Sequence, residues 1–184
     1  MKNEDKKLVV FGIYKSVFAA DTGVEALKIA GFSNSDISAL LPEGDQTKAF
    51  AHEKGTKAPE GATAGGATGA ILGGTLGWLV GIGSLAIPGV GPFIAAGPIM
   101  AAIAGVGVGA TVGALSGALI GMGIPEYVAK RYEGRVKDGG VLVSVHCSTA
   151  ELRTRAQEIF EKSGAEDISS SSEAASPQPA SMSL

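Results

Sequence analysis

Charge is missing from the middle of this chain. Residues 61–125 contain no Asp, Glu, Lys, Arg or His, although the chain as a whole carries 15 basic and 18 acidic groups. Cysteine is almost absent as well. Cys147 stands alone, so no internal disulfide exists and the redox compartment is only weakly constrained. There is no excess of positive charge: the formal net charge is -3. That argues against a general nucleic-acid binder, because neutralising phosphates needs a concentrated basic surface. The amino terminus, MKNEDKKLVVFGIY, lacks the long apolar region and small-residue cleavage site of a secretory signal. Glycine, by contrast, is plentiful at 28 of 184 residues, without the period of three that a collagen helix demands.

The charged flanks read as two halves of one α+β domain. KLVVFGIY (7–14) has strand character, and Ser16 can cap a helix whose inward stripe is Val17, Ala20, Val24 and Leu27. Gly31 stops that helix and DISALL (36–41) is a second strand. The same grammar returns after the uncharged interval. GVLVSVHC (140–147) is a strand with Val141, Val143 and Val145 on one face. Ser148 and Glu151 carry a capping-box signature, and a helix then runs to about Gly164, followed by AEDIS. Two such β-α-β halves close into a ferredoxin-like sandwich, four strands with two helices on one face. The alternative is two unrelated α/β fragments.

Within the uncharged interval, Gly66–Ile87 is long enough for the ~20 largely apolar residues of a bilayer-spanning helix. Pro88–Pro92 is a compact reversal. A second helix is expected from Pro98 to about Gly121, with Phe93–Gly97 at the membrane interface or re-entering as part of the turn. Glycines recur every four residues in both runs: Gly65, Gly69, Gly73 and Gly77 in the first, Gly105, Gly109, Gly113 and Gly117 in the second, with Gly97 in phase before them. Such strips let helix backbones approach closely in lipid, pairing the hairpin or joining subunits into a homo-oligomer. Lys130, Arg131, Arg135 and Lys137 follow the hairpin as interfacial basic anchors, and its turn has none. The positive-inside tendency therefore places both termini in the cytoplasm. A soluble oligomer that buries the hairpin, and a shallow hairpin entering one leaflet, stay open as alternatives.

Motifs for chemistry are sparse. Gly105, Gly107 and Gly109 lack the preceding strand and the lysine of a phosphate loop. His146 and Cys147 are adjacent on a strand, so they point to opposite faces, and they fall short of a zinc ligand set. No cofactor or metal is expected, and no catalytic residue is assigned. Neither expected membrane helix contains an ionisable group, which counts against a proton relay or ion-selective carrier.

At TKAPEG (56–61), AIPGVGPFIAAGPI (86–99) and GIPEYVAKRYEGRVKDGGVLVSVH (123–146) the chain resembles bacterial proteins related to the general stress protein 17M family. The resemblance covers roughly residues 8–169. It implies a stress-associated bacterial protein, with no catalytic set to carry onto these positions.

The resulting expectation is an α+β chain: a ferredoxin-like split β-α-β sandwich interrupted by a glycine-zipper two-helix transmembrane hairpin. Its parts are a first half at 1–45, a linker at 46–60, the hairpin at 61–125, a basic connector at 126–139, a second half at 140–169 and a disordered tail at 170–184. Functionally this is a stress-associated structural or sensory protein of the bacterial inner membrane, multi-pass, oligomerising through its glycines and facing an unknown cytoplasmic partner, with no reaction assigned. A small oligomeric pore or mechanically responsive channel is the alternative. An enzyme at an unassigned cytosolic site, centred on His146 and Cys147, ranks third.

Overall fold

The computed structural model describes residues 8–43, 84–87, 91–107 and 113–172. The fold is α+β. In chain order the elements are β1 (Leu8–Tyr14), α1 (Val17–Ile29), β2 (Ile37–Pro42), β3 (Ser84–Ile87), β4 (Gly91–Ala96), α2 (Pro98–Gly107), α3 (Ala114–Gly121), α4 (Glu126–Lys137), β5 (Val141–Cys147), α5 (Ala150–Lys162) and β6 (Glu166–Ser172).

The expected terminal elements are present. Ser16 caps α1 by accepting the Ala19 N–H at 3.2 Å, and Gly31 follows the last turn. α5 differs by one residue at its start. Thr149, not Ser148, is the cap, and its hydroxyl accepts the Leu152 N–H at 3.2 Å. β6 runs through Ser172, so Ser170–Ser172 belong to the sheet rather than to a tail.

All six strands form one antiparallel sheet in the order β3-β4-β2-β5-β1-β6. The four strands of the two terminal halves are neighbours within it, β2-β5-β1-β6. The intervening chain extends the sheet beyond β2 with β4 and then β3. Both β2 and β3 are antiparallel to β4, so they run parallel to each other two positions apart.

Each face of the sheet has its own core. α1 and α5 cover one face, over Val10, Tyr14, Ile37, Ala39, Leu41, Val141, Val143 and Val145. α2, α3 and α4 cover the other, over Val9, Phe11, Ile13, Leu40 and Leu142. The sandwich with helices on one face is therefore corrected to helices on both. The physical reason is already in β1: LVVFGIY is buried along nearly its whole length, and a strand apolar on both faces needs two covers.

The second uncharged run supplies that cover, and here three expectations are overturned. Phe93–Gly97 is not an interfacial turn. Residues 91–96 are β4, whose alternation sends Phe93 and Ala95 into one core and Ile94 and Ala96 into the other. The single helix expected from Pro98 to Gly121 is two helices, α2 and α3, because Gly113 has φ +97°, outside any continuous α-helix. Third, the span expected in this run is a sheet cover. Ile99, Met100, Ile103, Leu115 and Leu119 are buried against the strands, each burial contributing roughly 1.5–3 kcal/mol. No helix among the described residues is long and apolar enough to cross a membrane. Of the reversal expected at Pro88–Pro92, residues 88–90 lie outside the described residues, and Gly91 and Pro92 belong to β4, which pairs antiparallel with β3. The first uncharged run, apart from Ser84–Ile87, lies outside the described residues.

Candidate functional site

α4 was expected as a basic connector and is an amphipathic helix. Ala129, Tyr132 and Val136 face the sheet, and Glu126 in the first turn with Arg135 and Lys137 in the last complement its dipole. Beside its C-terminal end lies an open cleft of about 350 Å³, lined by Ile13, Tyr14, Lys15, Arg135, Asp138 and Gly140.

Ion pairs along the rim tie α4 to the first residues of β6. Glu166 lies between Lys15 and Arg135, at 2.6 Å from each. Asp167 has φ +51° at a bulge where β6 slips by one residue against β1, and aspartate tolerates that left-handed conformation. The bulge turns its carboxylate towards α4, where Arg131 donates to it and Arg135 approaches to 3.9 Å. The Tyr132 hydroxyl donates to the Asp167 carbonyl oxygen.

These contacts hold charged groups in their charged forms. The Lys15 hydrogen bond, with Arg135 behind it, keeps Glu166 below the usual carboxylate range. The Asp167 hydrogen bond raises Arg131. Burial lifts the Tyr14 phenol to about 12 despite its 2.7 Å hydrogen bond to Ser163, and burial likewise lifts Tyr132. Paired and fixed in this way, the rim suits clamping and the recognition of ionic groups more than proton transfer.

All four expected anchors are on α4, and each has an acidic partner. Lys130 pairs with Glu126 at 2.6 Å, Arg131 with Asp167, Arg135 with Glu166, and Lys137 with Glu133 at 2.9 Å. Only three of the eight strip glycines are among the described residues. Gly65, Gly69, Gly73, Gly77 and Gly109 lie outside the described residues. Gly105 is in α2, Gly113 is the turn before α3, and Gly117 sits within α3 facing open space. His146 and Cys147 alternate across β5. Cys147 is buried in the α1/α5 core, and burial, with the Asp36 charge, pushes its thiol up to about 11. That pair is not an activated nucleophile. Among the described residues no group of three or more His, Cys, Asp or Glu could hold a metal ion.

Sequence reasoning missed Lys15, Glu133, Glu166 and Asp167. Glu133 carried a signal in its spacing to Lys137, one helical turn away. Asp167 carried none, because its role depends on a bulge. Comparison with known proteins adds no relative: no family model, no curated protein and no solved structure matches the chain.

Proposed function

We propose that this protein is a stress-associated bacterial module, structural or sensory rather than catalytic, that attaches to the cytoplasmic membrane through its first uncharged run and self-associates there. The observation that carries the reading is the sequence of residues 61–83, which lie outside the described residues. That stretch contains Trp78 and no charge, and keeps Gly65, Gly69, Gly73 and Gly77 in register. A run of this kind is costly to leave in water and favourable in lipid, where small residues permit close packing.

The folded part is the cytoplasmic body of this module. Its order β2-β5-β1-β6, with α1 and α5 on one face, supports a ferredoxin-like sandwich enlarged by an inserted β3, β4, α2, α3 and α4. The ion-paired rim of α4 and β6 offers its partner a charged surface. The stress association rests on the resemblance to the general stress protein 17M family at 56–61, 86–99 and 123–146.

Flotation of the purified full chain with phosphatidylcholine–phosphatidylglycerol vesicles tests the reading. Co-flotation is expected, with loss when charges are placed in the run, as in Leu76→Lys. A chain that stays at the bottom of the gradient would sink the proposal.

A further inference from the structure

We infer that the cleft at the C-terminal end of α4 binds a small zwitterion of the free α-amino-acid class, with its ammonium on Asp138 and its carboxylate on Lys15 and Arg135. Every group invoked belongs to the folded body, so the site does not depend on the membrane attachment proposed above.

Asp138 points there first. It caps the C-terminal end of α4, after a last turn that carries Arg135 and Lys137. That end of a helix is electrically negative, so a carboxylate on it is locally unfavourable. A cation at i, i+3 spacing can offset such a charge, and Arg135 stands at that spacing. Yet Arg135 is drawn away to β6, at 2.6 Å from Glu166 and 3.9 Å from Asp167. The Asp138 carboxylate lines the cleft and makes no hydrogen bond or ion pair among the described residues. A charge that costs stability, has no partner and faces a cavity marks a functional position.

The opposite sign comes from Lys15, directly after β1, and from Arg135 itself. Both contact Glu166, yet neither is exhausted: ammonium and guanidinium groups carry several N–H donors, and Glu166 engages each at a single contact. Lys15, with 74% of its side chain exposed, can turn a further donor to a ligand carboxylate. With Glu166 and Asp138 the two cations form a neutral group, so a polyanion or a polyamine gains no net attraction. A molecule with one charge of each sign fits both corners. The corners are also held in place. The Gly140 N–H donates to the Arg135 carbonyl oxygen at 2.9 Å, and Tyr14 pairs with Val141 at the end of β1. A Cβ at Gly140 would lie 2.8 Å from that oxygen and 3.2 Å from the Tyr14 carbonyl oxygen, so helix end and strand end are locked together. The rest of the lining, Ile13, Tyr14 and Gly140, carries no charge, which suits an uncharged ligand side chain. The volume of about 350 Å³ falls at the lower end of the ~300–1,000 Å³ of small-molecule sites.

Saturation-transfer NMR on the purified full chain tests this, with L-alanine and L-leucine as probes and acetate and methylammonium as the two half-ligands. Transfer to at least one amino acid is expected, with neither half-ligand displacing it at equal concentration. Asp138→Asn and Lys15→Gln should each weaken binding by ~10-fold or more, about the loss of one charge-assisted hydrogen bond. Asp138→Asn should do so at an unchanged or higher melting temperature, because it relieves the charge at the helix end. A carboxylate with a structural role would lower it instead. No transfer to either amino acid overturns the proposal. Acetate binding as well as the amino acids would reduce the site to an anion contact, and binding undiminished in Asp138→Asn would place the ligand elsewhere. Either result overturns the zwitterion assignment.

Discussion

At Gly97 the chain turns from β4 into α2 with φ +84°, and an added methyl group would run into the Ile37 carbonyl oxygen and the Ser38 side chain. Gly97→Ala should cost at least the ~1–2 kcal/mol of a left-handed non-glycine residue, read as a lower urea midpoint at unchanged slope. The neighbouring serines divide sharply in role. Ser38 Oγ accepts the Ile99 N–H at 3.1 Å and so seats the start of α2, whereas Ser144 Oγ, opposite it on β5, is buried with no hydrogen-bond partner among the described residues. Ser38→Ala should therefore destabilise by about 1–3 kcal/mol and Ser144→Ala should be neutral or stabilising. Equal losses in paired thermal melts would contradict that division. Gly97 also shows how the residue scale misleads when read from sequence. Its four-residue phase with Gly105, Gly109, Gly113 and Gly117 looks like one helix face. Yet Gly97 and Gly113 are turn residues with positive φ, and spacing alone cannot separate a glycine needed for its backbone from one needed for its smallness.

Elements were legible where local signals settled them. Ser16, Gly31 and Gly164 mark helix ends because capping is a matter of adjacent residues. β1 was legible as a strand, but its burial on both faces was not, nor was the segment that covers the second face. That depends on contacts between distant parts of the chain, and an uncharged helix packs equally well on lipid or on a bare sheet. α4 illustrates the gap. Read as a row of cations, it owes its place to an anion: Glu133 accepts the Ser116 N–H at 3.0 Å, capping α3 from a neighbouring helix where Gly113 has no side chain to do so. Glu133→Ala should cost about 0.5–2 kcal/mol, as for other lost caps. The pH dependence has a definite sign. Burial raises the Glu133 pKa, but the Ser116 and Lys137 hydrogen bonds outweigh it, leaving the net value below the ordinary glutamate range. A carboxylate depressed in the folded state contributes stability that is fully present above its unfolded pKa and lost as pH falls through the folded one. Urea midpoints of the wild type should thus fall on acidification below about pH 4.3, the unfolded glutamate value, and Glu133→Gln should flatten part of that slope.

For the molecule as a whole, the question is where self-association resides, since both uncharged runs carry glycines at the same period. Gly117 offers the contrast. A Cβ there meets nothing within 4 Å, so a methyl group fits the monomer without strain. Gly117→Ala should even stabilise by about 0.5–1 kcal/mol, because glycine in a helix interior costs that much relative to alanine. Gly73→Leu, in the run proposed to meet lipid, should leave the melting temperature of the folded part unchanged while blocking close backbone approach. Sedimentation in detergent and cross-linking in vesicles then separate the two strips. Loss of association in Gly73→Leu, with Gly117→Leu assembling normally, is the expected outcome. The reverse would move the contact to α3, whose Gly117, Ile120 and Gly121 form an exposed line along one side. Subunits would then meet through the folded body, and the bilayer would concentrate the protein without supplying its interface.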